Sequence, residues 1–119
     1  MPSRDDHVKK ATENEVFANR LDTNTQASIN WKLIVSFYAA LHYVEAYLAK
    51  ALNQHVRVHT TRDSIVSRES NLRAIRKEYA HLKYYGFNAR YEADQFTAKD
   101  VTDVLGYLAL VKGKIKPLL

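Results

Sequence analysis

Between Pro2 and Pro117 the chain contains no proline, and it holds only three glycines in all. Proline removes a backbone donor and clashes with the preceding helical turn, so a proline-free interior permits long uninterrupted helices. One stretch of that interior, Trp31 to Leu52, is apolar on nearly every side. Within it Ile34, Phe37, Leu41, Val44, Leu48 and Leu52 step by three or four residues, the spacing of a buried helix face. A helix this apolar is either central to the core or shared between a core and a subunit interface.

The other segments read as amphipathic helices around it. A first helix is expected from about Asp5 to Leu21, with Ala11, Asn14, Phe17, Ala18 and Leu21 on one face. Residues 22–28 form a polar loop, after which Ser28 or Asn30 can cap the long helix. Asn53 to Val58 reads as a connector, and Thr60 with Asp63 resembles a capping box opening a short helix that ends near Arg68. Ser70 can cap a third long helix carrying Leu72, Ile75, Tyr79 and Leu82, whose end Gly86 and Asn88 leave open. Thr97 and Asp100 form a second capping-box pattern, ahead of a stripe of Val101, Val104, Leu105, Leu108, Val111 and Ile115. The expected fold is all-α: an antiparallel four-helix bundle with a short extra helix between helices 2 and 3, one domain over residues 1–119.

Composition narrows the chemistry. The chain has no cysteine, so thiolate catalysis and a disulfide framework are excluded. Its polar N-terminus is unlike a signal peptide, and no apolar run reaches the roughly 20 residues of a membrane span; a cytoplasmic protein without membrane association is expected. The net charge of +5 is concentrated. Residues 57–90 hold eight basic residues (Arg57, Arg62, Arg68, Arg73, Arg76, Lys77, Lys83, Arg90) and three acids (Asp63, Glu69, Glu78), while the remainder balances. That quarter is either a phosphate-attracting surface or a solvated helix face. Glycine-rich phosphate loops and nucleophilic triads are absent, and no cofactor is expected. No metal site is expected either: the only histidine pair at ligand spacing, His55 with His59, straddles a connector.

A set of motifs in order, Trp31, then Phe37-Tyr38-Ala39-Ala40-Leu41-His42, then His59 with Arg62, then Tyr79 with Leu82, then Ala89-Arg90-Tyr91, resembles the HEPN superfamily, the higher eukaryote and prokaryote nucleotide-binding domain. The match spans roughly residues 31 to 91. The resemblance implies a small helical bundle, usually a homodimer, in nucleic-acid-directed defence or toxin–antitoxin systems, with an antitoxin or nucleotidyltransferase as possible partner. It also implies that some members cleave RNA without a metal, while others bind nucleotides or act as inactive partners. Cleaving members carry an arginine followed four to six residues later by a histidine near the start of the last core helix, and this chain has no histidine between Arg90 and Asp103.

Candidate site residues fall into three groups. His59 and Arg62, three apart, are neighbours on one helix face and could hold a phosphate and move a proton, or simply organise a turn; with Arg90 they form the expected composite site of an RNA-cleaving alternative. Arg76 and His81 have the right spacing, but five residues of regular helix separate their side chains by about 140°, so a catalytic pair is not expected. Arg62, Arg76, Lys83, Arg90 and Tyr91 are the candidate nucleic-acid or nucleotide contacts, three of them at seven-residue intervals. On the long helix Tyr38, His42, Tyr43 and Glu45 are expected to line a cleft or a dimer seam.

Overall fold

The computed structural model describes residues 1–92 and 95–119, and every regular element among them is helical. Five α-helices follow in chain order: α1 (Arg4–Arg20), α2 (Gln26–Tyr47), α3 (His59–Arg68), α4 (Arg76–Tyr91) and α5 (Ala98–Ile115). They pack into a body of 40 × 24 × 23 Å. None is long and apolar enough to cross a membrane.

α2 is the axis. It packs against α1, α4 and α5, and the last two also pack on each other. Leu33, Phe37, Ala40, Val44 and Leu48 are wholly enclosed, and each large side chain among them stabilises the fold by about 1.5–3 kcal/mol through burial. The near-encircling apolarity of the sequence thus belongs to a central helix. Lys32 is one of the polar side chains buried on this helix, and its Nζ donates to the carbonyls of Ala18 and Leu21 at 2.7 and 2.8 Å. A cation placed on the carbonyls of a helix C-terminus satisfies both the charge and the helix dipole.

Several boundaries differ from expectation, each for a local reason. α2 begins at Gln26, because Thr25 rather than Ser28 or Asn30 is the cap: its hydroxyl accepts from the Ser28 N–H at 3.1 Å. On α1 the buried face consists of His7, Ala11 and Ala18, while Phe17 is half exposed; small residues let α1 approach α2 closely. The capping box expected at Thr60 does not form, because α3 already starts at His59 and Thr60 lies inside its first turn. Nor does Ser70 cap α4: a 3₁₀ turn over Arg73–Ile75 precedes that helix. On such a turn residues three apart eclipse, which carries Leu72 and Ile75 into the core together. The Thr97–Asp100 box forms as expected, and Ser3 with Asp6 makes another on α1.

Gly86 does not end α4. A Cβ there would lie 2.7 Å from the Phe37 Cβ, so glycine permits the close crossing of α4 over α2, and the helix continues to Tyr91. After Tyr47, α2 widens into a π turn over Leu48–Leu52. Asn53 then takes the left-handed conformation (φ 51°), one that Asn tolerates better than most residues. The Gln54 N–H returns to the Leu48 carbonyl at 3.0 Å. This reversal sends the 53–58 connector back along α2 and carries His55 to Glu45.

Candidate functional site

A continuous polar chain, buried at His7, Glu45 and Arg62 and partly exposed elsewhere, is drawn from four segments. α1 supplies His7, α2 supplies His42 and Glu45, the connector supplies His55 and the Val56 backbone, and α3 supplies Arg62 and His59. His42 and Glu45 are three residues apart on α2 and therefore share a face. The Nδ1 atoms of His7 and His42 are 3.1 Å apart. His7 Nε2 is 3.3 Å from His55 Nδ1, which in turn is 3.4 Å from Glu45 Oε2. Glu45 Oε2 accepts from the Val56 N–H at 3.1 Å, and Oε1 accepts from Arg62 Nε at 2.7 Å. Arg62 Nη2 donates to the Val56 carbonyl, and Nη1 lies 3.1 Å from His59 Nδ1.

Burial sets the protonation of this chain. Desolvation lowers the His7 pKa, with the Glu45 charge opposing it. It lowers His42 to about 4, helped by neighbouring cationic groups. His59 is lowered by burial and then by the Arg62 charge. These three imidazoles are therefore neutral near pH 7, facing one buried Glu45–Arg62 ion pair.

A second feature is a cavity of about 390 Å³ between α3 and α4. Arg76, Lys83, Tyr84 and Phe87 line it from α4, and Asp63 from α3. Lys83 bonds Asp63 and sits 5.3 Å from the centre of the Phe87 ring. Tyr79 lines it too, with a buried hydroxyl that has no hydrogen-bond partner among the described residues. One oxygen of Asp63 is unpaired in the same way, and burial pushes the Tyr79 phenol pKa up.

The structure redistributes the sequence candidates. Arg62 is not a surface contact for phosphate: it is buried on Glu45, as any cation fully enclosed beside a carboxylate must be. His59 bonds that guanidinium and packs edge-on against Phe87 at 5.0 Å. Arg76 and Lys83 share the α3–α4 cavity, whereas Arg90 borders a separate groove with Trp31 and Tyr38, donating to the Tyr38 hydroxyl at 2.7 Å and lying over the Tyr91 ring at 5.2 Å. The seven-residue basic stripe is thus split between two surfaces. His81 does not line that cavity and stacks on Tyr107 of α5 at 4.9 Å. Tyr43 is fully buried with its hydroxyl on Glu15, so it is no seam residue, and Glu45 faces inward to Arg62. Tyr38 and His42 instead border a surface groove with Trp31 and Arg90.

His7 is the member of this polar chain that sequence reasoning misses. Its signal is its register with Ala11 and Ala18, the small residues of the buried α1 face, which extends one turn back to include it. The grouping of His7, Glu45 and His55, whose ligand atoms lie within 4.8 Å of one another, replaces the His55–His59 pair that spacing alone suggests. Comparison with protein-family models, curated proteins and solved structures gave no match.

Proposed function

We propose that this chain is a HEPN-like four-helix module that binds a nucleotide unit, free or within single-stranded RNA, in the cavity between α3 and α4. The carrying observation is the meeting of cationic, aromatic and unpaired polar groups in that one cavity. Arg76 and Lys83 would take the phosphate, Tyr84 and Phe87 would offer ring faces to a base, and Tyr79 with Asp63 would bond to its polar edge or the sugar. The volume lies within the roughly 300–1,000 Å³ usual for ligand sites. The motif order that resembles the HEPN superfamily supports the same reading, as does the basic excess of residues 57–90.

The geometry favours binding over RNA cleavage. Arg62, the cation beside His59, is already committed to Glu45 and Val56. Arg76 and His81 occupy different surroundings.

The test is a titration of labelled single-stranded RNA, at several salt concentrations, with wild type, Arg76→Ala and Tyr84→Ala. Both side chains are exposed, so the fold should persist. Arg76→Ala should weaken binding of every sequence and flatten the logarithmic salt slope by about 0.7, because one fewer phosphate is neutralised. Tyr84→Ala should cost about 1–3 kcal/mol of stacking with the salt slope unchanged. Affinities equal to wild type in both variants would remove this cavity from the binding surface.

A further inference from the structure

We propose that His7, Glu45 and His55 form a binding site for a divalent transition metal ion, zinc by the chemistry of its donors. The site is separate from the α3–α4 cavity, and the proposal does not depend on nucleotide binding.

Separations within the buried polar chain fall into two classes. His7–His42, Val56–Glu45 and Arg62–Glu45 lie at 3.1, 3.1 and 2.7 Å, ordinary hydrogen-bond lengths. The two contacts that meet at His55 are longer: 3.3 Å from its Nδ1 to His7 Nε2 and 3.4 Å to Glu45 Oε2. Those lengths exceed the usual range for hydrogen bonds. They match the roughly 3.3–3.4 Å between donor atoms on one tetrahedral zinc ion with bonds of 2.0–2.1 Å. The third pair, His7 with Glu45, lies within 4.8 Å, so a modest movement closes the set.

His7 and Glu45 have the outer contacts that metal ligands require. A ligating imidazole usually donates its other N–H to a fixed acceptor. With Nε2 of His7 on the metal, its Nδ1–H points at His42 Nδ1, 3.1 Å away. Arg62 holds Glu45 by Oε1, while Oε2 accepts only the Val56 N–H and keeps a second lone pair for the ion. Two imidazoles and one carboxylate suit zinc or another first-row ion, while calcium and magnesium would demand more oxygen. His7 and Glu45 are buried and rigidly placed on helices; His55, on the connector, is partly exposed and leaves a fourth position to water.

The experiment uses untagged protein stripped with a chelator and titrated with Co²⁺ while the visible absorption is followed, then with Zn²⁺ in competition. Wild type should develop the intense bands of low-coordinate cobalt, saturating at one ion per chain, and Zn²⁺ should abolish them. His7→Gln and His55→Gln should each weaken cobalt binding by at least about 100-fold, since losing a ligand costs more than the roughly 10–100-fold lost with an outer-shell partner, while His81→Gln, which replaces the histidine stacked on Tyr107, should bind as wild type. If His7→Gln does not fold, His55→Gln decides, because its partly exposed side chain lies on the connector. Bands no stronger than those of aqueous cobalt, or His55→Gln binding as tightly as wild type, would overturn the site and leave the cluster as a hydrogen-bonded network.

Discussion

Glu45 and Arg62 form a fully enclosed ion pair, 2.7 Å between Oε1 and Nε, that fastens the short helix α3 to the central helix α2. Neither charge reaches solvent, so each makes the other tolerable: a lone buried carboxylate or guanidinium costs several kcal/mol. The pair also aims the rest of the polar chain, since the same two side chains bond the Val56 backbone and His59.

Removing one partner should therefore be worse than removing both. Arg62→Ala is expected to cost about 3–5 kcal/mol by leaving Glu45 buried and unpaired. The double variant Glu45→Gln with Arg62→Met should recover part of that stability, since glutamine can still accept from Val56 and carries no charge. Urea unfolding of the three proteins gives the comparison. A double variant as unstable as the single one would show that the Arg62 hydrogen bonds, and not its charge balance, matter.

The glycines should respond to alanine with opposite signs. Helix propensity favours alanine by about 1 kcal/mol at each. At Gly86 the added methyl meets the Phe37 Cβ at 2.7 Å, and overpacking costs about 1–3 kcal/mol, so Gly86→Ala should destabilise. Gly106 and Gly113 lie on α5 with nothing within 4 Å of the added carbon, and alanine there should stabilise. Thermal melts would settle it; stabilisation by Gly86→Ala equal to that at Gly106 would mean the α2–α4 crossing has room to spare.

The partly desolvated histidines predict a pH dependence in the metal-free protein. His42 drops from 6.5 in the unfolded chain to about 4 in the folded one, and His7 and His59 are lowered in the same direction. Between those two values the unfolded chain holds a proton that folded His42 lacks, so stability is complete above about pH 7 and declines as pH falls toward 4. His42→Gln removes this contribution while leaving the carboxylates untouched. Its unfolding free energy should fall less steeply than wild type between pH 7 and 5, and parallel slopes would refute the assignment.

We predict that the chain forms a homodimer through the groove bordered by Trp31, Tyr38 and Arg90. Trp31 is 54% exposed there, one turn into α2, beside the Arg90–Tyr38 hydrogen bond. Aromatic and arginine side chains are the usual anchors of such contacts. Light scattering at high micromolar concentration should report a dimer for wild type and a monomer for Trp31→Glu. A wild type that stays monomeric would reject the contact.

Much of the helical plan was legible along the chain because its causes are local. Thr97 with Asp100 marks the start of α5 through two hydrogen bonds three residues apart, and the stripe from Val101 to Ile115 follows from helical period alone. Proline-free apolarity likewise marks the long helix as either central or shared with a subunit interface, and in the fold α2 lies at the centre of the core. Local reasoning failed where one side chain satisfies two descriptions, as at Thr60, whose capping pattern gave way to a helix already begun at His59.

The site was a matter for the tertiary structure. Arg62 reads as a surface cation among basic neighbours, yet packing of α3 on α2 encloses it against Glu45. His7 reads as one polar residue in a polar turn, yet the approach of α1 to α2 over Ala11 and Ala18 brings it to His42, and the π turn with Asn53 returns His55 from the other side. Helical period, caps and charge counts are properties of residues a few positions apart, and the chain determined those by itself. Which distant polar groups come together in one cluster depends on how helices cross, and only the folded packing decides that.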